Sequence, residues 1–298
     1  MVVKSSLAEI KSSIEKIIKT KIWLEKPYKL CDFRPLFGQI FNRNTSKYDF
    51  WGYCDCDLVF GDIRHFLTDE VLDNHDYILG WGHFHIQRTE DHKFEHVWKS
   101  ARGLWKDICW QEVFASNQNE WFDELPYGVA GRYYELYPER CWLGYSDNQA
   151  CFESPALSQL PFMSLFNNYG LWKKWEGFQH HLERLPFLKR EQGNDLKHII
   201  YQKKGVKLFS VGINELGEIE EREILYTHFY KRILSINTFN LQNYIIRPNS
   251  IMNTCRLNKM SLLFYAHHYS IYYNYIRYRI NRKIGTLIQK FYHTYNML

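Results

Sequence analysis

Apolar positions recur at helical spacing near the start of the chain. Leu7, Ile10, Ile14, Ile17 and Ile18 fall on one stripe and predict a helix over 6–19. Ser6 and Glu9 make a capping box at its start. Lys26-Pro27-Tyr28 ends that pattern, and a short helix is expected from Pro35, carrying Phe37, Ile40 and Phe41 inward. The period then shortens. Phe50 to Val59 is the strongest strand pattern in the chain, and residues 76–88 read as another, with Gly80 and Gly82 allowing close approach. Helical patterning returns at 92–115 and 127–137, and a polar stretch with Pro and Ser follows near 144–162. Val206–Val211 and Glu223–Phe229 read as a strand pair flanking a turn at Asn214–Gly217. The segment from 236 onward reads as helical in its last third. Strands separated by helices predict a mixed α/β layer fold.

Length and charge refine that picture. A chain of 298 residues holds one large domain with an appendage, or two modest ones. The seven cysteines are scattered without a C-x-x-C pair, which suits reduced thiols in a cytosol. The first residues do not read as a signal peptide, and no apolar run approaches the ~18–20 residues needed to span a bilayer. The protein is expected to be cytoplasmic, with peripheral contact to the inner membrane face as an option. The net charge of +5 is unevenly placed. From Ile224 to Leu298 there are ten Lys or Arg and no acid, which leaves −5 on the preceding residues. The expected division is therefore a body over 1–235 and a basic, aromatic, helical tail over 236–298. Its stripe of Leu262, Leu263, Phe264, Ile271, Tyr272, Tyr275, Ile276, Ile280, Ile284 and Ile288 is interleaved with Arg277, Arg279, Arg282 and Lys283. That composition suits an anionic lipid surface. Docking on the chain's own body ranks next, and RNA ranks behind both.

Asp55 and Asp57 carry the first chemical signal. On a strand, residues two apart share a face, so both carboxylates would project together from an apolar, aromatic run. Cys54 and Cys56 would then pack on the opposite face. Like charges beside a core need a cation between them, and Mg²⁺ or Mn²⁺ favours carboxylate oxygens with a phosphate as co-ligand. A strand end running into a polar loop would carry the same two residues.

The order Asp32, Arg34, Gly38 and Gly52-Tyr53-Cys54-Asp55-Cys56-Asp57 resembles the GT-A glycosyltransferases that use nucleotide sugars. The longer runs Pro27–Pro35 and Trp51–Arg64 resemble more closely the poorly characterised GT-A-like proteins of bacterial capsule and exopolysaccharide gene clusters. Phe122-Asp123-Glu124 followed by Gly128, and Ile224-Leu-Tyr-Thr-His228-Phe-Tyr-Lys231-Arg232, fit the same resemblance, which covers about residues 20–235. It implies a GT-A-like, Rossmann-like mixed sheet flanked by helices. Asp57 would ligate the metal, Asp55 would bind it through water or hold the ribose, and His228 would complete the shell. Asp32, Arg34 and His83 would contact the donor, with His85 and Arg88 beside His83, and Lys231 and Arg232 would reach the diphosphate. Asp123 or Glu124 would accept the acceptor's proton while the other holds the sugar. Each has a plain alternative: a strand-end histidine, the basic start of the tail, polar residues alternating on an edge strand, or acids at a helix start. His92 and His96 read as surface. The chain departs from the family pattern in lacking the opening strand, turn and helix that bind the base and ribose.

The reading is a metal-dependent glycosyltransferase moving a sugar, foremost from a UDP-sugar, to a growing polysaccharide or lipid-linked acceptor. Its rival is a catalytically degenerate GT-A remnant that binds glycan or a partner enzyme. A phosphoester hydrolase ranks third, because two-metal sites need more clustered ligands.

Overall fold

The computed structural model describes residues 4–103, 108–124, 127–142, 145–146, 149–150, 152–153, 196–228, 235–247 and 250–266. In chain order the strands are β1 (Phe50–Cys54), β2 (Leu58–Phe60), β3 (Tyr77–Trp81), β4 (Phe84–Arg88), β5 (Cys141–Trp142), β6 (Tyr145–Ser146), β7 (Gln149–Ala150) and β8 (Phe152–Glu153). They continue as β9 (Lys197–Lys204), β10 (Lys207–Ile213), β11 (Ile219–Ile224), β12 (Tyr226–His228), β13 (Ser235–Asn237), β14 (Asn243–Arg247) and β15 (Ser250–Asn253). With the helices between them they make a mixed α/β protein. Two compact units divide it, the first from described residues 4–56 and 66–146, the second from 57–65, 149–153 and 196–266. No helix among the described residues is long and apolar enough to cross a membrane.

In the first unit the helix Leu7–Ile18 forms where the apolar stripe predicts it. Ser6 and Glu9 exchange the two capping hydrogen bonds, and Lys19 closes the helix in the left-handed conformation. Its Ile14 is fully buried in a core with Phe33, Trp98, Phe114, Phe122 and Tyr133. The four strands run in the order β1-β4-β3-β5, antiparallel except for β3 with β5. Residues 76–88 are thus a hairpin rather than one strand. It bends at Gly82–His83, after a bulge at Leu79–Gly80 where both residues have positive φ. Instead of one helical region over 92–115 there are two short helices, Phe94–Ser100 and Trp110–Ala115, while 127–137 yields Val129–Leu136.

The expected strand Phe50–Val59 is broken. It pairs as β1 up to Cys54, turns through Asp55-Cys56-Asp57, and resumes as β2 in the other unit. The two aspartates therefore do not share the face of one strand, and Cys54 and Cys56 are exposed rather than packed against a core. The ladder continues as far as the Asp55 N–H, and Cys56 and Asp57 form a turn before β2.

The second unit holds a six-stranded sheet in the order β11-β10-β9-β14-β15-β13 and a three-stranded sheet in the order β2-β12-β8. β9 and β10 join through Gly205–Val206, with Gly205 at φ 60°, which glycine takes without a Cβ clash. The turn at Asn214–Gly217 is also as expected, closed by the Gly217 N–H on the Asn214 carbonyl at 2.9 Å. Strands β14 and β15 continue this sheet, so it runs across position 235, and residues 243–247 and 250–253 are strand. The helix Lys259–Ala266 buries Leu262 and Ala266 against Ile200, Val211 and Ile245. The rest of the proposed helical tail, and most of the stretch 144–162, lies outside the described residues.

Candidate functional site

The first unit gathers a group of acids around one arginine. Arg34 ends a run of 3-10 turns over Pro27–Leu36 and is mostly buried. Its Nη1 donates to the Gly82 carbonyl and to Asp123 Oδ2, the latter at 3.1 Å. Its Nη2 donates to Asp55 Oδ1. Its guanidinium lies 5.2 Å from the Tyr53 ring centre, and the Tyr53 hydroxyl donates to Asp123 Oδ2 at 3.4 Å. Asp55 is fixed from its backbone as well, its N–H donating to the His83 carbonyl at 2.8 Å. The β1–β4 pairing brings this about, since Cys54 stands opposite Phe84 and Asp55 continues the ladder by one residue.

Asp123 sits in a loop held from below. Asp32 is fully buried and accepts from the backbone N–H of Glu120 and Phe122, while Lys29 Nζ donates to it at 2.8 Å. Lys29 also donates to the carbonyls of Val113 and Gln118, at 2.6 Å each. Trp121, with φ 51°, stands in a region that bulky side chains rarely occupy, so the loop is strained where it turns toward Asp123. Gly128 faces the carbonyls of Phe122 and Glu124, where a Cβ would collide with backbone, and the helix Val129–Leu136 starts directly after it. A Cβ on Gly82 would stand 2.5 Å from Glu124 Oε1, so that glycine admits the Glu124 carboxylate.

The electrostatics of the two acids follow from this packing. Asp123 is 1% exposed and its Oδ1 has no hydrogen-bond partner among the described residues. Burial pushes its pKa up to about 7, against the pull of Arg34. Burial, then the charge of Asp123, raises Glu124 to about 8, and its partial exposure lets solvent temper that rise. Both carboxyls therefore keep their protons to higher pH than ordinary acids do.

The second unit brings together a different pair. Strand β12 runs antiparallel to β2 with His228 opposite Leu58, which sets Asp57 beside the histidine. Asp57 Oδ1 lies 3.4 Å from His228 Nε2, and His228 is nearly buried while Asp57 is 39% exposed. Two adjacent ligands about 2.1 Å from an octahedral metal stand about 3 Å apart, so this oxygen and nitrogen are spaced to share a small divalent cation. Asp55 is joined to Asp57 through Cys56 alone.

The remaining expected residues divide clearly. Asp32 has its carboxylate taken up by Lys29 and two backbone N–H groups, so it holds the Asp123 loop instead of facing a ligand. His83 is half-buried at the hairpin turn, with its carbonyl on Asp55. His85 lies on an interior strand, packed 4.1 Å from the Tyr77 ring centre, and burial holds its pKa down to about 4. Arg88 is bound to Asp76 at 2.7 Å. His92 and His96 are exposed, as expected. Lys231 and Arg232 lie outside the described residues. Sequence reasoning passed over Lys29 and Tyr53 as site residues. Lys29 stands three before Asp32 and Tyr53 two before Asp55, and those spacings on a 3-10 turn and a strand were the available signals.

No curated protein and no solved structure matches this chain. A family model described as "Family of unknown function (DUF6625)" matches residues 1–255, and the chain belongs to that family.

Proposed function

We propose that the protein is a metal-dependent glycosyltransferase, GT-A-like in fold, that moves a sugar from a nucleotide donor to a surface polysaccharide or lipid-linked acceptor. The observation that carries this reading is the Asp57–His228 pair at 3.4 Å, two residues 171 positions apart that the motif order had nominated together. On this reading Asp57, His228 and Asp55 hold Mn²⁺ or Mg²⁺, which when bound neutralises the leaving diphosphate. Asp123 and Glu124 supply the other half of the chemistry. A carboxyl with its pKa near 7 or 8 accepts a hydroxyl proton and returns it to water near neutrality. Arg34 positions Asp123 and holds its charge. Lys231 and Arg232 remain the proposed diphosphate contacts, and His83 a donor contact. A UDP-sugar is the proposed donor and the cytoplasm the proposed location.

Donor hydrolysis with Mn²⁺ across a panel of nucleotide sugars tests this. Release of one nucleotide is the expected result; silence with every donor and no calorimetric nucleotide binding would overturn it. A second reading, a remnant that binds without turnover, is favoured by one observation. Arg34 already pairs with both Asp55 and Asp123 within the chain. Nucleotide binding with no hydrolysis of any donor would select it.

A further inference from the structure

The second unit carries a feature that the proposed chemistry does not use. An open bowl of about 510 Å³ is lined by Phe60, Gly61, Lys203, Gly205, Val206 and Gln242. Lys203 is its cation. The ammonium donates to the carbonyls of Phe60 and Val206, and no carboxylate among the described residues pairs with it. Asp62 is near enough to act on it by charge. The neighbouring Lys204 and Lys207 are different, each being bound to an acid, Glu221 and Glu223. An ammonium has three N–H donors, so Lys203 keeps capacity for an anion entering the bowl.

Exposed apolar side chains belong to the two loops that help to form the bowl, the β9–β10 turn and the loop that carries Gln242. Phe239 is fully exposed, Leu241 is 79% exposed and Val206 67%. Phe239 and Leu241 belong to a loop held by its own hydrogen bonds. The Thr238 hydroxyl oxygen accepts the Asn240 N–H at 3.1 Å, and Asn240 Oδ1 accepts the N–H groups of Gln242 and Asn243 at 3.0 Å. The Gly205 N–H donates to the Gln242 carbonyl at 2.8 Å, tying this loop to the β9–β10 turn and so to the bowl. A Phe and a Leu carried in water by a hydrogen-bonded loop that also supplies Gln242 to the bowl, with an ammonium in that bowl that no carboxylate among the described residues contacts, match the layering of a membrane surface, with phosphate outermost and acyl chains beneath. Snorkelling geometry of this kind lets an ammonium meet phosphate while its apolar neighbours go deeper.

We infer that this corner of the second unit docks on a bilayer, with Phe239, Leu241 and Val206 entering the acyl boundary and Lys203 taking the phosphate of an anionic phospholipid. The inference stands apart from the transferase reading, since none of these residues belongs to the acid cluster or the Asp57–His228 pair.

Co-sedimentation of the full chain with vesicles tests it, using phosphatidylcholine alone and with added phosphatidylglycerol. Binding is expected to be stronger with phosphatidylglycerol. The double variant F239S/L241S changes only exposed side chains, so its melting temperature should hold while vesicle affinity falls roughly tenfold or more. Lys203→Met should keep residual binding and lose the preference for the anionic lipid. Soluble glycerol phosphate should not displace the protein. Wild-type affinity in F239S/L241S would place binding elsewhere, in residues 257–298 for example, and would overturn the proposal. So would failure of the wild type to bind either vesicle, or displacement by glycerol phosphate.

Discussion

Asp76 and Asp123 are both nearly excluded from solvent in the same unit, and their surroundings give them opposite characters. Asp76 receives Arg88, Arg140 and Lys93, brought from β4, from the turn before β5, and from the residue preceding the helix Phe94–Ser100. Its carboxyl stays well below the usual carboxylate range, because the hydrogen bonds from Arg140, Lys93 and Arg88 together outweigh the opposing effect of burial. Asp123 has one arginine, one distant tyrosine hydroxyl and a bare oxygen, and its pKa rises toward neutrality. A carboxylate with every lone pair engaged fastens elements together. One left short of partners holds a proton loosely near pH 7, which is the property an acid or base catalyst needs.

Breaking the saturated site should have the larger effect. Asp76→Ala takes the shared carboxylate from Arg88, Arg140 and Lys93, of which Lys93 keeps Asp91 at 3.3 Å, and since each cation is about a third exposed and can rehydrate, we expect a loss of about 3 kcal/mol, at the low end for a broken buried pair. Denaturant unfolding measures this. A loss below about 0.5 kcal/mol, the level of ordinary surface changes, would remove the contrast. Gly128→Ala should come next, because its Cβ meets backbone oxygens that cannot swing away. A loss of about 1–3 kcal/mol is expected, as for other overpacked sites, together with a change in the titration of the acid pair.

Asp123→Asn should cost little and should act through pH. Carboxyls with raised folded pKa values keep their protons while the unfolded chain ionises. Stability is therefore lost as pH rises from the ordinary carboxylate range through about 7 to 8. His85, held neutral by burial, works in the opposite sense between about 4 and 6.5, so the window above pH 6.5 isolates the acids. Wild-type melting temperature should fall across that window, and Asp123→Asn should flatten the slope. An unchanged slope would show that Asp123 does not hold the proton. Gly82→Ala should have the smallest effect on stability, since the Glu124 carboxylate it displaces is the end of a flexible side chain.

The contrast between Asp76 and Asp123 also shows what the sequence could express. Local patterns were legible. The capping box at Ser6 and Glu9 and the turn at Asn214–Gly217 depend on residues a few positions apart, and both formed as read. The break at Asp55-Cys56-Asp57 matches the plain alternative of a strand end running into a polar loop, but alternation alone could not choose it over a continuous strand, because the partners of each half, β4 and β12, decide it. Asp32 misled for a related reason. Its partners Glu120 and Phe122 lie 88 and 90 residues away, and nothing near position 32 shows that they will occupy its carboxylate. The Asp57–His228 meeting was anticipated only through motif order, since strand pairing alone sets its distance.

The central claim is that Asp57 and His228 hold a divalent cation for a nucleotide. Titration calorimetry of the full chain with UDP, with and without Mn²⁺, and of Asp57→Ala under the same conditions, tests it most directly. The account predicts UDP binding by the wild type that requires Mn²⁺ and is lost in Asp57→Ala with the melting temperature unchanged. Metal-independent binding, no binding, or an Asp57→Ala protein that melts lower yet binds Mn²⁺ and UDP as the wild type does would contradict it.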